Sequence, residues 1–204
     1  RLTSGIRSTE EVGEFIDNFD GGSATGTYED GNRKRRARYD SPSFKGLIFS
    51  VAVGNEVLRD GGGTNADAAL TYAKDFGDYK VAWGVGYSWQ TASRVLSGSA
   101  SVAHDPSGFN LTAALGGEDG GGNFKYLKFG LVRSYWAVGN TAMSVDYYQG
   151  DDIYSPGSQS RSVGLAFVQS FDRTDLQGYA LLRRYMFDDP KFDYLDGTVA
   201  MAGL

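Results

Sequence analysis

The sequence contains no cysteine, only four prolines and a single histidine among its 204 residues. Without cysteine it can form neither a disulfide framework nor a zinc–thiolate site. Its longest apolar runs, such as Leu47–Gly54, fall far short of the ~20 residues that a membrane-spanning helix needs. One histidine and no cysteine leave few ways to build a nucleophile–base pair. We therefore predict that the chain is not an enzyme and has no helical anchor.

The charge and the glycine content limit the possible class of protein further. The chain has 20 basic and 25 acidic residues, a net charge of −5, which argues against a general nucleic-acid binder. Glycine supplies 29 residues, about twice its usual share of ~7%. The first residues include neither a methionine nor a basic-then-apolar leader, so we expect a mature or truncated chain.

Alternation with a period of two recurs along most of the chain and predicts half-buried strands. The clearest case is Tyr79–Gln90, where aromatic and branched side chains occupy one face and small or polar side chains the other. Short links alternate with long Gly- and Asp-rich links between such segments. The sequence predicts eleven strands, at approximately Arg33–Asp40, Gly46–Gly54, Ala66–Phe76, Tyr79–Gln90, Ser97–His104, Phe109–Leu115, Asn123–Trp136, Thr141–Gln149, Arg161–Phe171, Thr174–Phe187 and Gly197–Leu204.

Long alternating strands in up-and-down order indicate an all-β fold, a transmembrane antiparallel β-barrel. A soluble β-sandwich that binds partners through its Gly- and Asp-rich loops would show the same alternation and is the alternative. Aromatic placement favours the barrel, because Tyr79 and the Tyr87/Trp89 pair stand at the two ends of one strand face, as interfacial girdles would.

The segment Arg36–Leu47, RARYDSPSFKGL, resembles the signature R-x-R-Y-D-[ST]-P-x-F-x-G-[FL] of general diffusion porins of Gram-negative outer membranes, particularly the alphaproteobacterial type. The turn segments Asp75–Val81 and His104–Leu111 are similar to the same family. The likeness extends from about Glu10 to the end of the chain, although the terminal aromatic usual in the family is replaced by Leu204.

The resemblance implies a sixteen-stranded barrel that is usually trimeric, of which about eleven strands are present here. Counting back from a closing strand at Gly197–Leu204 assigns residues 1–32 to the third loop, which in porins folds inward and forms the constriction. Residues 33–204 are then the C-terminal strands of one barrel domain. A short helix over about residues 9–19 is expected inside that loop, and a solvated surface helix is the alternative for it.

Charged residues on that loop and on the strands are the candidate pore-lining groups. The dense basic run at residues 33–38 alternates, so Lys34, Arg36 and Arg38 share a face that lipid would reject. Facing the loop acids, they would set up a transverse field across the constriction. The predicted pore-lining set is Glu10, Glu11, Glu14, Asp17, Lys34, Arg36, Arg38, Lys80, Lys128 and Asp146, with Asn110, Thr112, Ser144 and one of Arg183 and Arg184 as further candidates.

Other polar groups have simpler interpretations. His104, beside Asp105 and Pro106, is most simply an exposed turn residue. The acidic pairs Asp151–Asp152 and Asp188–Asp189 fit no EF-hand spacing, so we expect no cofactor beyond weak calcium binding by the loops. Arg33 and Arg35 could meet lipopolysaccharide phosphates.

Taken together, the sequence predicts an outer-membrane channel for passive diffusion of small hydrophilic solutes and ions. The expected partners are outer-membrane lipid, lipopolysaccharide and further copies of the chain in a homotrimer, with no nucleic acid.

Overall fold

The fold is known from a computed structural model that describes residues 35–55, 64–89, 94–153 and 155–204. Within those ranges no helix has the length and apolar character needed to cross a membrane. The described residues form eleven strands: β1 (Arg35–Asp40), β2 (Leu47–Asn55), β3 (Thr64–Asp75), β4 (Tyr79–Trp89), β5 (Arg94–His104), β6 (Phe109–Glu118), β7 (Asn123–Trp136), β8 (Gly139–Asp151), β9 (Gln159–Phe171), β10 (Leu176–Asp188) and β11 (Gly197–Gly203).

All eleven strands belong to one antiparallel sheet in which each strand pairs with the next in chain order. The sheet is open, since β1 pairs only with β2 and β11 only with β10 among the described residues. This up-and-down arrangement confirms the predicted all-β class and strand number. The two packed sheets of a sandwich are not found in the described part of the chain.

Links between strands alternate between the two ends of the sheet. We call the end that carries residues 41–46, 76–78, 105–108, 137–138 and 172–175 the short-turn end, and the opposite one the long-loop end. The turn 105–108 shows how tightly the short links are built. Gly108 has a φ of +77°, and its backbone oxygen accepts a hydrogen bond from the N–H of Val132 at 2.9 Å. A Cβ atom at Gly108 would lie 1.9 Å from the carbonyl oxygen of Val132, so only glycine fits there.

Five strands, β3, β5, β6, β8 and β9, are longer than the sequence predicted, and β5 and β6 show the reason. Strand β5 begins at Arg94 rather than Ser97, and β6 continues to Glu118 rather than ending at Leu115. Gly116 and Gly117 look like loop residues because glycine is a poor strand former. In the structure they pair with Ser97 and Leu96, which brings both segments into the ladder. The predicted long link Gly116–Gly122 is therefore reduced to residues 119–122.

Strand β10 contains both arginines whose orientation the sequence left open. Its register with β9 places Arg183 opposite Gly164 and Arg184 opposite Val163, on different faces of the sheet. Leu182 and Ala180 share the face of Arg184, so Leu176, Ala180 and Leu182 are the apolar set of this strand. Arg183 is the arginine that shares a face with Asp146.

The predicted loop 1–32 and its helix over about residues 9–19 lie outside the described residues, so both remain predictions.

Candidate functional site

Antiparallel pairing places opposed residues on the same face of a sheet, so the register defines two faces across all eleven strands. The apolar face leaves large hydrophobic side chains exposed, among them Phe49, Val85, Leu115, Leu127, Val145, Leu165 and Leu182. The polar face carries small and charged side chains, among them Ser50, Asp67, Thr71, Ser88, Ser101, Thr112, Lys128, Asp146, Ser162 and Arg183.

One row of the polar face crosses six strands near their middle. We call it the central row, and each of its members is the register partner of the next along the sheet. It consists of Ser101, Thr112, Lys128, Asp146, Gly164 and Arg183. The predicted residues Thr112, Lys128 and Asp146 thus lie together, and Arg183 completes the group.

Of the three charged side chains in the central row, two form an ion pair with each other and the third forms none within the described ranges. Arg183 Nη2 donates to Asp146 Oδ1 at 2.5 Å, and its Nη1 donates to Ser162 Oγ at 2.9 Å. Both charged side chains are nearly inaccessible, at 8% and 5% exposed. Lys128 is half-buried, and its ammonium group makes no hydrogen bond or ion pair within the described ranges. The pair is close to neutral, so the row carries about one net positive charge, on Lys128.

Gly164 makes the pairing across β9 sterically feasible. A Cβ atom at this position would lie 2.5 Å from Arg183 Nη2 and 2.7 Å from Asp146 Oδ2. Any larger side chain would therefore occupy the space in which the guanidinium group reaches over β9 to β8. The sequence offered no signal for this bridge, because Asp146 and Arg183 are 37 residues apart.

Toward the long-loop end, the polar face of β6 to β8 holds a buried aromatic cluster that the sequence did not predict. Phe124, Tyr126 and Tyr148 are between 3% and 8% exposed and pack with Ala114 and Ile153. The rings of Phe124 and Tyr148 stack with centroids 6.3 Å apart. The sequence did contain a signal for this cluster in the strand alternation. Phe124 and Tyr126 are out of phase with the apolar set that begins at Leu127, so they lie on the opposite, polar face. This half of the polar face is therefore lined by bulky side chains.

The polar face of β3 to β6 is instead lined by small side chains that pair with one another. Ser88 Oγ donates to Asp67 Oδ1 at 2.5 Å, and the hydroxyls of Ser101 and Thr112 are 2.9 Å apart.

Arg38 and Lys80, both predicted to line a pore, lie near the short-turn end of the polar face rather than in the central row. Arg38 Nε donates to Asp40 Oδ1 at 2.9 Å, and Lys80 Nζ donates to Asp105 Oδ2 at 2.5 Å. Each basic group is thus already paired with an exposed aspartate. The structure does not bring either residue near Lys128.

Several predicted site residues cannot be placed. Arg36 is opposite Gly54 in backbone register, and its side chain lies outside the described residues. The residues Glu10, Glu11, Glu14, Asp17 and Lys34 also lie outside them, so their role stays a prediction.

The expectation that His104 is a freely exposed turn residue is wrong. It ends β5 and is half-buried, with Nδ1 2.7 Å from Ser107 Oγ. Its ring stacks on Tyr79 with centroids 4.6 Å apart. Pairing of β4 with β5 brings the two rings together, which the local turn sequence could not show.

A model of the Gram-negative porin family matches residues 5–189 of the chain. The chain belongs to this family. No curated protein and no solved structure matches the sequence. Family membership agrees with the resemblance found at Arg36–Leu47 and indicates a transport protein rather than an enzyme.

The apolar face of the porin has the dimensions expected of a lipid-facing surface. On β7 the apolar set Leu127, Phe129 and Leu131 is flanked by Lys125 and Arg133 on the same face. At ~3.4 Å per residue these two basic residues are about 27 Å apart along the strand, which at the 35–45° strand tilt of outer-membrane barrels is a height of about 19–22 Å, somewhat below their ~25 Å apolar band. The two basic residues therefore mark the edges of an apolar band of roughly the height that a membrane requires.

The acidic loops of the porin are engaged in local contacts. Asp189 accepts hydrogen bonds from the backbone N–H of Lys191 and from Ser155 Oγ, both at 2.8 Å, and these donors, the Lys191 N–H first, lower the pKa of its carboxyl group below its usual value. Within the described ranges no group of three or more histidine or acidic side chains is placed to hold a metal ion. Weak calcium binding by these loops stays a prediction.

Proposed function

We propose that this porin forms a water-filled channel in the outer membrane for passive diffusion of small hydrophilic solutes and ions. The observation that carries the proposal is the division of one continuous sheet into two faces. One face exposes large apolar side chains, and the other carries the central row with its charges at mid-strand. Lipid tolerates the first and rejects the second, so the polar face would line the lumen.

In such a lumen, hydroxyl and charged side chains would replace part of the hydration shell of a passing solute, which favours polar solutes over apolar ones. Small side chains on β3 to β6 leave room for water beside that wall, and the aromatic cluster fills space beside the neighbouring strands β6 to β8. We include in the proposal the constriction inferred from sequence, in which Glu10, Glu11, Glu14 and Asp17 face Lys34, Arg36 and Arg38.

The family also supports a location and an assembly. A Gram-negative porin is expected in the outer membrane, with its short turns toward the periplasm and its long loops outside. We propose the homotrimer on the family resemblance, with outer-membrane lipid and lipopolysaccharide as surrounding partners.

Planar-bilayer recording tests the channel. Protein refolded with detergent should insert and give stepwise, ohmic conductance increments, and heat-unfolded protein at the same load should give none. Bilayers that remain silent at high loads of folded protein would contradict the proposal. A protein that stays monodisperse without detergent would contradict the membrane placement as well.

A further inference from the structure

Lys128 and Asp146 face each other on adjacent strands without forming an ion pair. They are register partners of β7 and β8 on the polar face, where opposite charges at directly opposed positions attract each other. Asp146 is instead held from its other side by Arg183, whose guanidinium group reaches over Gly164 to Asp146 Oδ1 at 2.5 Å. The ammonium group of Lys128 is therefore left without a counter-charge among the described residues.

Arg183 binds Asp146 with a better defined geometry than a lysine could. Its guanidinium group is a planar fork, in which Nη2 donates to Asp146 while Nη1 donates to Ser162 Oγ at 2.9 Å. A lysine offers one compact charge on a flexible stem, so it holds a carboxylate less firmly in place. Arg183 thus keeps Asp146 from Lys128, and the free charge of the central row is positive for that reason.

Uncharged hydrogen-bonding groups surround Lys128 on the polar face. Thr112 is its register partner on β6, and the Thr112 hydroxyl is 2.9 Å from that of Ser101, so one of the two hydroxyl protons stays available. Asn110 lies opposite Gly130, where an added Cβ atom would be 2.9 Å from Asn110 Nδ2. The Asn110 carboxamide therefore lies over β7, one position along the face from Lys128.

Ser144 flanks Gly130 from the other side, on β8. Within the described strands the side chains of Asn110 and Ser144 make no hydrogen bonds. An ammonium group beside hydroxyl and amide donors is the set of groups that an oxyanion requires. We call these four residues, Lys128, Thr112, Asn110 and Ser144, the lysine subsite.

The charge of the lysine subsite selects among oxyanions. Its one positive charge neutralises one negative charge, because the neighbouring bridge between Asp146 and Arg183 is close to neutral. A carboxylate carries a single negative charge, whereas a phosphomonoester carries about 1.5 to 2 at pH 7. The subsite therefore suits a carboxylate better than a phosphate.

We propose that the lysine subsite binds the carboxylate group of a permeating solute, and that Arg183 is the positioning residue that keeps the subsite open. The Lys128 ammonium group supplies the charge, and the neutral side chains donate hydrogen bonds to the carboxylate oxygens. Arg183 does not touch the solute but holds Asp146 away from Lys128. The proposal rests on the channel described above and adds the class of solute that its wall retains, small monocarboxylates.

Carbon-13 line broadening of labelled acetate measures binding to the full chain refolded in an uncharged detergent. Labelled acetamide is the matched probe, since it is close to acetate in size and has no charge. We expect saturable broadening of acetate and none of acetamide. Unlabelled acetate should displace the labelled probe at a lower concentration than methyl phosphate does. Equal broadening of the two probes, or stronger displacement by methyl phosphate, would overturn the proposal.

Substitutions separate the lysine from its positioning residue. Lys128→Gln should raise the half-saturating acetate concentration roughly fivefold, the effect of removing one unit charge at contact distance in water. Arg183→Gln keeps Lys128 but releases Asp146 to pair with it, so binding should weaken to a similar degree. Adding Asp146→Asn to Arg183→Gln removes the competing carboxylate and should restore binding. The matched control Lys45→Gln removes an exposed lysine at the short-turn end and should bind as the parent does.

Restoration by the double variant distinguishes positioning from a purely structural role, since the double variant also lacks the bridge. Circular dichroism shows which variants form the sheet. If Arg183→Gln does not fold, Gly164→Ala takes its place, because its Cβ pushes the guanidinium group away from Asp146. A folded double variant that binds no better than Lys128→Gln would overturn the proposal, as would unchanged binding in Lys128→Gln or in the variant that releases Asp146.

Bilayer conductance in potassium chloride alone reports the channel and needs no acetate. A conducting porin that does not bind acetate would overturn the lysine subsite and leave the channel standing. Acetate binding by a porin that is silent in bilayers would overturn the channel, and with it the passage of the bound solute. Failure of the subsite is therefore distinguishable from failure of the channel.

Discussion

At the scale of single residues, the central row depends on a glycine. Gly164 stands between Asp146 and Arg183 on the strand that separates them, and its missing side chain is the space through which the guanidinium group passes. The two nearly buried charges must stay paired, since an unpaired buried charge is far more costly in free energy than a paired one. The identity of residue 164 therefore determines whether the wall holds a neutral pair or two separate charges.

Replacing Gly164 by alanine should break the bridge. The new Cβ would push the guanidinium group away from Asp146 and lower the free energy of unfolding by up to about 3 kcal/mol, the scale measured for fully broken buried pairs. Urea denaturation in lipid vesicles measures this. Gly86→Ala is the matched control, because its Cβ on the polar face of β4 would meet only atoms 3.9 Å away. Equal stability of the two variants would show that the bridge contributes nothing.

At the scale of elements, the geometry of each hairpin depends on the backbone conformation of its turn. Gly77 and Gly108 both adopt positive φ, at 82° and 77°, in neighbouring short turns. Their surroundings differ, since a Cβ at Gly77 would have open space around it and one at Gly108 would collide with the carbonyl of Val132 on β7. The turn after β5 thus also fixes how β7 approaches the hairpin.

Comparing alanine at these two glycines separates backbone strain from collision. Each change places a side chain in the left-handed region at about 1–2 kcal/mol. Only Gly108→Ala adds the clash and disturbs the hydrogen bond from Val132, so its refolding yield in detergent should fall well below that of Gly77→Ala. The fraction of SDS-resistant folded protein on gels before heating measures the yield. Equal yields would mean that β7 adjusts to the added methyl group.

The elements also show what the sequence could and could not predict. Strand number and most boundaries followed from alternation, because a period of two is the direct result of strand geometry. The boundary at Gly116 and Gly117 was missed, since only the partner strand determines whether a glycine pairs. The face of Arg183 was undetermined because both parities of β10 contain leucines. The bridge to Asp146 and the stack of His104 on Tyr79 depend on register between strands, which local sequence does not contain.

At the scale of the whole molecule, the net charge of the wall would decide which ions pass through the proposed channel. On strands β5 to β10, the mid-strand charges of the polar face are Lys128, Asp146 and Arg183, and the last two cancel within their ion pair. Arg38 and Lys80 are each paired with an aspartate near the short-turn end, and Asp67 lies on the separate strand β3, where it accepts a hydrogen bond from Ser88. The field that β5 to β10 add at mid-height is therefore largely that of Lys128.

Lys128→Gln should accordingly shift the porin toward cations. A unit charge acts on an ion ~10 Å away in water with about 0.4 kcal/mol, roughly a twofold change in local anion concentration before salt screening. The reversal potential in a salt gradient across a planar bilayer measures the shift, which should shrink as ionic strength rises. Lys45→Gln, an exposed lysine at the short-turn end, removes the same charge outside the row and should shift it less. A reversal potential that Lys128→Gln leaves unchanged would place Lys128 away from the ion path and the polar face away from the lumen.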